Sequence, residues 1–188
     1  MPPKVKITKK EIIGAGVELI RKEGAGAINA RNIASALGCS TQPIFSNFST
    51  MEELFIAVNG AAYEKYLEFL KNEVESEKYP KYKAFGMAYV RFAKEEKELF
   101  KLLFMCDRQN KDTTPTEDFE ASVEMIMKAN GISREKATLF HLENWTFVHG
   151  IGVMLATSFV HLKWELISDM ISDVYQGLRS RHLSEENE

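Results

Sequence analysis

Apolar residues in this chain recur three and four positions apart and do not fall into alternating Val and Ile runs, which confines the fold to helices. The first clear case follows Thr8-Lys9-Lys10-Glu11, a capping box. Ile12, Ala15, Gly16, Leu19 and Ile20 then share one helical face, and Gly24 and Gly26 end the helix. Asn29 is placed to cap a short second helix that buries Ile33, Ala34 and Leu37. Gly38 supplies a tight turn. Ser40 is placed to cap a third short helix, with Pro43 in its first turn and Phe48 at its end. Thr50-Met51-Glu52-Glu53 is another capping box, opening a long helix to about Glu75.

After a break at Lys78-Tyr79-Pro80, helical spacing resumes from Lys81 to Cys106, as two helices meeting near Lys94–Glu98. A polar loop is expected from Asn110 to Thr114, and Thr114-Pro115-Thr116-Glu117 combines a cap, a Pro at the first helical position and a box partner. Gly131 stops that helix, Ser133 starts a long one to about His161, and a last helix runs from Trp164 to Arg181, ahead of an acidic tail at Ser184–Glu188. Five Pro and eleven Gly in 188 residues leave little material for turns between strands, so the expected class is all-α.

Charge is unevenly spread. Residues 1–50 hold seven cations (Lys4, Lys6, Lys9, Lys10, Arg21, Lys22, Arg31) against Glu11, Glu18 and Glu23, a balance of +4. The whole chain is −3, so the remainder carries −7. A basic piece on an acidic body suits a phosphate-facing head, although four lysines in the first ten residues read equally well as a solvated tail. Cys39 and Cys106 have no CxxC spacing, no apolar stretch follows the N-terminal lysines, and a cytoplasmic protein is expected. Trp145–Leu162 contains no Asp, Glu, Lys or Arg but does hold His149, His161, Thr146, Thr157 and Ser158, so it reads as a buried or interface helix and no membrane partner is expected. No G-x-S-x-G, H-E-x-x-H or G-x-x-x-x-G-K string occurs, and His141, His149, His161 and His182 do not cluster with Cys or Asp at metal spacings. Neither an enzyme nor a metal nor a cofactor is expected.

The informative unit is residues 29–48. Two short helices around a Gly turn have helix-turn-helix geometry, or are two short helices of any bundle. Ile33, Ala34, Leu37, Ile44, Phe45 and Phe48 are apolar enough to hold the pair together, leaving Ser40, Thr41, Gln42, Ser46 and Asn47 for the outer face. Gln and Asn can take adenine edges bidentately, and Ser and Thr can reach phosphates or bases. Lys9, Lys10, Asn29 and Arg31 complete the candidate DNA-binding set.

Residues 8–55 resemble the N-terminal domain of the TetR/AcrR family of bacterial transcriptional regulators. The resemblance lies in Thr8, Ile12, Ala15, Leu19 and Gly24, then Ile33-Ala34 and Gly38-Cys39-Ser40, then Ile44-Phe45 and Phe48, then Glu52-Glu53-Leu54. It implies a three-helix DNA-binding domain over residues 1–50, and an effector-binding and dimerisation domain of about six helices over residues 51–188. It further implies a homodimer on a palindromic operator of double-stranded DNA, joined through the last two helices and released by a small-molecule effector. A non-regulatory, architectural DNA-binding protein is the alternative. Trp145-x2-Val148-His149-Gly150 is similar to the Trp…His-Gly (WHG) signature of one class of C-terminal domains in that family. The chain departs from the family at Phe45, where Tyr is frequent, at Asn47, where Tyr or His is frequent, and at Met51, where Lys is frequent. Fewer phosphate contacts imply a modest salt dependence, since each phosphate neutralised contributes roughly −0.9 to the slope.

The Met and aromatic residues of the second part suit an apolar effector, with Met87, Phe104, Met105, Trp145 and His149 as candidate ligand residues. At helical spacing the same residues are also ordinary core. His149, on an otherwise apolar helix, is either a ligand- or proton-sensing imidazole or a buried, hydrogen-bonded histidine that fixes packing.

Overall fold

The computed structural model describes residues 7–107 and 117–184. Among them the regular structure is nine α-helices and a 3-10 turn at Ala25–Ala27, with no strand. The helices are α1 (Lys9–Glu23), α2 (Ala30–Ala36), α3 (Gln42–Asn47), α4 (Met51–Glu75), α5 (Lys81–Glu95), α6 (Lys97–Phe104), α7 (Glu117–Asn130), α8 (Arg134–Ala156) and α9 (Trp164–Ser184). Three head helices followed by six more give the all-α architecture that the spacing predicts. The expected loop at 110–114, the cap at 114–116, the tail beyond Ser184 and the lysines Lys4 and Lys6 lie outside the described residues.

Most boundaries follow from their caps. The Thr8 hydroxyl accepts from the Glu11 N–H while the Glu11 carboxylate accepts from the Thr8 N–H, a complete box. Asn29 accepts from the Asn32 N–H at 2.9 Å to start α2. Thr50 accepts from Glu53 N–H, but the Glu53 carboxylate reaches Ser49 N–H rather than Thr50 N–H. Ser133 starts α8 by accepting from Lys136 N–H. Ser40 does not cap α3. The residue three after it is Pro43, which has no N–H to give, and the helix starts one residue later, behind Thr41. Likewise α8 stops at Ala156 rather than near His161. The Thr157 hydroxyl takes the Val153 carbonyl, Ser158 turns left-handed (φ 57°) and Phe159 N–H closes back onto Met154.

The chain forms two compact units. The first holds the described residues up to Glu68 together with the segment Glu95–Cys106. Its core is Ile12, Leu19 and Ile20 of α1, Ile33 and Ala34 of α2, Ile44 of α3, Phe48, and Leu54 and Val58 of α4, all buried. Leu99 and Phe100 of α6 are fully buried as well. Arg21 of α1 forks onto Glu96 with Nε–Oε2 2.8 Å and Nη2–Oε1 2.6 Å. Gly16 lets α4 close on α1: a Cβ there would stand 2.7 Å from Val58 Cγ2. The second unit holds Phe69–Lys94 and the described residues from Asp107 onward. Val123, Ile126, Ile132, Ala137 and Phe140 form one buried cluster, and Met87, Phe92, Val148, Ile151, Ile167 and Ile171 are buried in the same unit. No helix among the described residues is long and apolar enough to cross a membrane.

Candidate functional site

The head builds its outward face from α2, the turn and α3. Gly38, at φ 63°, is left-handed where a side chain would be strained, and Cys39 N–H closes onto the Ala34 carbonyl at 2.9 Å. The turn sends α3 away from α2, with Ile44 and Phe48 inward, four residues apart. Gln42, Phe45 and Ser46 then share the opposite side and are exposed. Phe45 is 53% exposed, so it does not help to hold the helix pair together as its type suggested. It follows Ile44 directly, and successive residues on a helix point about 100° apart, so both cannot face the core. An exposed ring on this face can meet a thymine methyl.

The other candidates divide into exposed and engaged groups. Lys10, Arg31 and Ser40 are exposed, and Thr41 is half-buried. Lys9 lies over the Phe48 ring at 4.8 Å and pairs with Glu53 at 3.2 Å, so part of its charge is met inside the head. Asn29 spends its side-chain oxygen on the α2 cap. Ser46 donates to the Gln42 carbonyl at 2.9 Å and keeps its lone pairs. Asn47 donates to the Pro43 carbonyl at 2.8 Å and the Ile7 carbonyl at 3.3 Å, which ties the residue before the α1 cap to α3. Gln42 is thus the exposed amide on α3 that none of these bonds occupies.

Residues 12–58 match the family model described as bacterial regulatory proteins, tetR family. The chain therefore carries a segment similar to the N-terminal, DNA-binding domain of the TetR family. The matched segment runs from Ile12 of α1 to Val58 of α4 and contains all of α2 and α3. That domain match supports a DNA-binding transcriptional regulator. No curated protein matches it.

In the second unit, the structure brings Trp145 and His149 of α8 together. Their rings stack at 5.1 Å and 16°, and His149 Nδ1 lies 2.8 Å from the Tyr89 hydroxyl. Burial lowers the pKa of His149, so the imidazole is neutral at neutral pH. Met87 of α5 is fully buried. Phe104 and Met105 belong to the first unit, where Phe104 packs edge-on against Tyr66 at 5.2 Å and Met105 is exposed. A cavity of about 590 Å³ lies in the second unit, and none of these five residues lines it. Its walls come from the start of α5 (Tyr79 to Lys83), Met125 of α7, Asn144 of α8, and Ile171 and Tyr175 of α9. Sequence reasoning pointed to the Met residues of the second part, of which Met125 lines the cavity, but singled out none of Tyr82, Lys83, Asn144 and Tyr175. Their charge and polarity read as surface, and only the tertiary fold gathers them.

Proposed function

We propose that the protein is a cytoplasmic, ligand-responsive repressor that binds a palindromic operator as a homodimer. Residues 1–50 serve as the DNA-binding part, and residues 51–188 as an effector-binding and dimerising part with a WHG-type C-terminal domain. The observation that carries this is the exposed face of α3, with Gln42, Phe45 and Ser46 outward, inside a head that matches the TetR family. Gln42 reads a base edge, Ser46 and Ser40 accept or donate at bases and phosphates, and Lys10 and Arg31 neutralise phosphates. Lys9, Asn29, Thr41 and Asn47 hold the geometry of that face.

Dimerisation is supported by α8 and α9. Leu139, Leu142 and Trp145 of α8, and Leu166 of α9, are each between 43% and 48% exposed. Three large apolar residues at three-residue steps on one helix form a stripe, and such stripes mark interfaces. A second copy of the chain covers it. An effector that prefers one of two states by about 1–3 kcal/mol changes DNA affinity some 5–150-fold.

The test is fluorescence anisotropy of the full chain with labelled DNA from upstream of its own gene, against scrambled DNA, at two salt concentrations. Preference for an upstream palindrome supports the regulator reading. Equal binding to both DNAs replaces it with an architectural role.

A further inference from the structure

We propose that the cavity beside the start of α5 binds a small organic anion: a carboxylic acid with a flat apolar body and a second group that donates a hydrogen bond. The inference deepens the reading that the second unit answers to a small molecule and rests on it. It replaces a purely apolar effector with an amphipathic acid.

Charge comes first. Two lysines, Lys81 and Lys83, line the cavity, and among the described residues no Asp or Glu does. Lys83 Nζ donates to Ser168 Oγ at 2.8 Å and Ser172 Oγ at 2.7 Å, and sits 4.9 Å from the centre of the Tyr79 ring. These partners are all neutral, and no carboxylate among the described residues pairs with Lys83. An ammonium has three donors, so one N–H and the positive charge remain for an anion. The cavity also opens at the N-terminus of α5, a helix of fifteen residues with no acidic residue in its first turn. The positive end of that helix is not opposed from within.

A second polar point lies on α8. Asn144 is 6% exposed and lines the cavity. Its Nδ2 donates to the Tyr82 hydroxyl at 3.2 Å, and that hydroxyl lies 3.0 Å from His141 Nδ1. Burial lowers the pKa of His141 to about 4, so the ring is neutral and Nδ1 can accept the Tyr82 proton. The relay is then directional, from Asn144 to Tyr82 to His141, and it leaves Asn144 Oδ1 buried with no partner. A buried acceptor left unmatched is costly, and a ligand N–H or O–H relieves that cost. Tyr175 accepts from Asn130 Nδ2 at 3.3 Å and retains its own proton to give. Between these points the walls are Met125, Ile171 and the faces of the tyrosine rings. A volume of about 590 Å³ is ordinary for a small-molecule site.

The test is calorimetric titration of the full chain with three acids of increasing length: 4-hydroxybenzoate, 4-hydroxyphenylacetate and 4-hydroxycinnamate. The comparison ligands are the matching methyl esters, the acids without the hydroxyl, and inorganic phosphate. At least one hydroxy acid is expected to saturate at one per chain, with its ester and its deoxy analogue roughly tenfold weaker or worse, as the loss of one hydrogen bond to a charged or buried group requires. Lys83→Met is expected to weaken that acid roughly tenfold or more. Lys81→Glu, on an exposed residue where folding is not at stake, weakens it by reversing the charge at the cavity. Equal binding to Lys83→Met and Lys81→Glu, or phosphate binding as well as the acids, overturns the proposal. No acid bound at millimolar concentration, with DNA binding intact, overturns the site and leaves the regulator standing. An acid that binds with these dependences but does not release DNA establishes the site and refutes the proposed switch.

Discussion

Gly16 offers a direct test of how tightly the head is packed. Replacing Gly by Ala inside a helix ordinarily stabilises it by about 0.8–1.0 kcal/mol. Here the new methyl would stand 2.7 Å from Val58 Cγ2 and 3.5 Å from Cγ1. Val58 is fully buried, and a β-branched side chain has no alternative rotamer to retreat to without cost. Overpacking of this kind costs about 1–3 kcal/mol, so Gly16→Ala is expected to lose about 1 kcal/mol net. For a chain of this size that lowers Tm by about 2–4 °C. Val58→Ala alone removes two buried carbons and is expected to cost about 1.6 kcal/mol in transfer, plus a cavity contribution. In the double variant the methyl at 16 fills the space vacated at 58. Urea unfolding of the four proteins should then show a favourable coupling of about 1 kcal/mol. If Gly16→Ala gains the full helix-propensity increment, or if the two changes simply add, α1 and α4 are not packed as described.

Three further outcomes are expected. Gln42→Ala should weaken operator binding by about 1–3 kcal/mol and relax the preference at one base pair, whereas Lys10→Ala should weaken all sequences alike and reduce the salt slope by about 0.9, both readable by anisotropy across a salt series. His141 is neutral in the fold with its pKa at about 4, against an ordinary 6.5, so between those values the unfolded chain binds more protons. Stability should therefore be full above pH 6.5, fall by up to about 3 kcal/mol as pH drops toward 4, and level off below. His141→Gln should flatten that slope in urea titrations. Leu142→Lys should place a charge in the middle of the α8 stripe and leave a folded monomer by sedimentation; a persistent dimer would move the interface elsewhere.

The head was legible in the sequence because its signals are local. Thr8 with Glu11, Asn29, Gly38 and the Ile44–Phe48 spacing each act within a few residues, and each does in the structure what its chemistry requires. Phe45 was not legible as a surface residue, because its type argues for burial and only its angle on α3 argues against. Ser40 failed as a cap for a reason the sequence itself shows, namely a Pro where the donating N–H had to be. The second unit was read less well. Its helices announce themselves, but the cavity gathers Lys83, Asn144 and Tyr175 from three helices up to 92 positions apart in the chain. Lys83 looks solvated until two serines on α9 are known to hold it, and nothing periodic marks Asn144 as the end of a relay.

The pairing of Arg21 with Glu96 has a consequence for how the protein is made. The first unit draws its last piece, α6, from well beyond the head itself, and Leu99 and Phe100 complete a core begun at Ile12. A ribosome that has just released residue 68 has therefore released an unfinished unit. At synthesis rates of about 5–20 residues per second, the head waits a few seconds, with apolar surface uncovered, until the segment ending at Cys106 emerges. A head excised at residue 50 or 68 would remain in that state permanently, so the reading head is not a module that can be transplanted without α6.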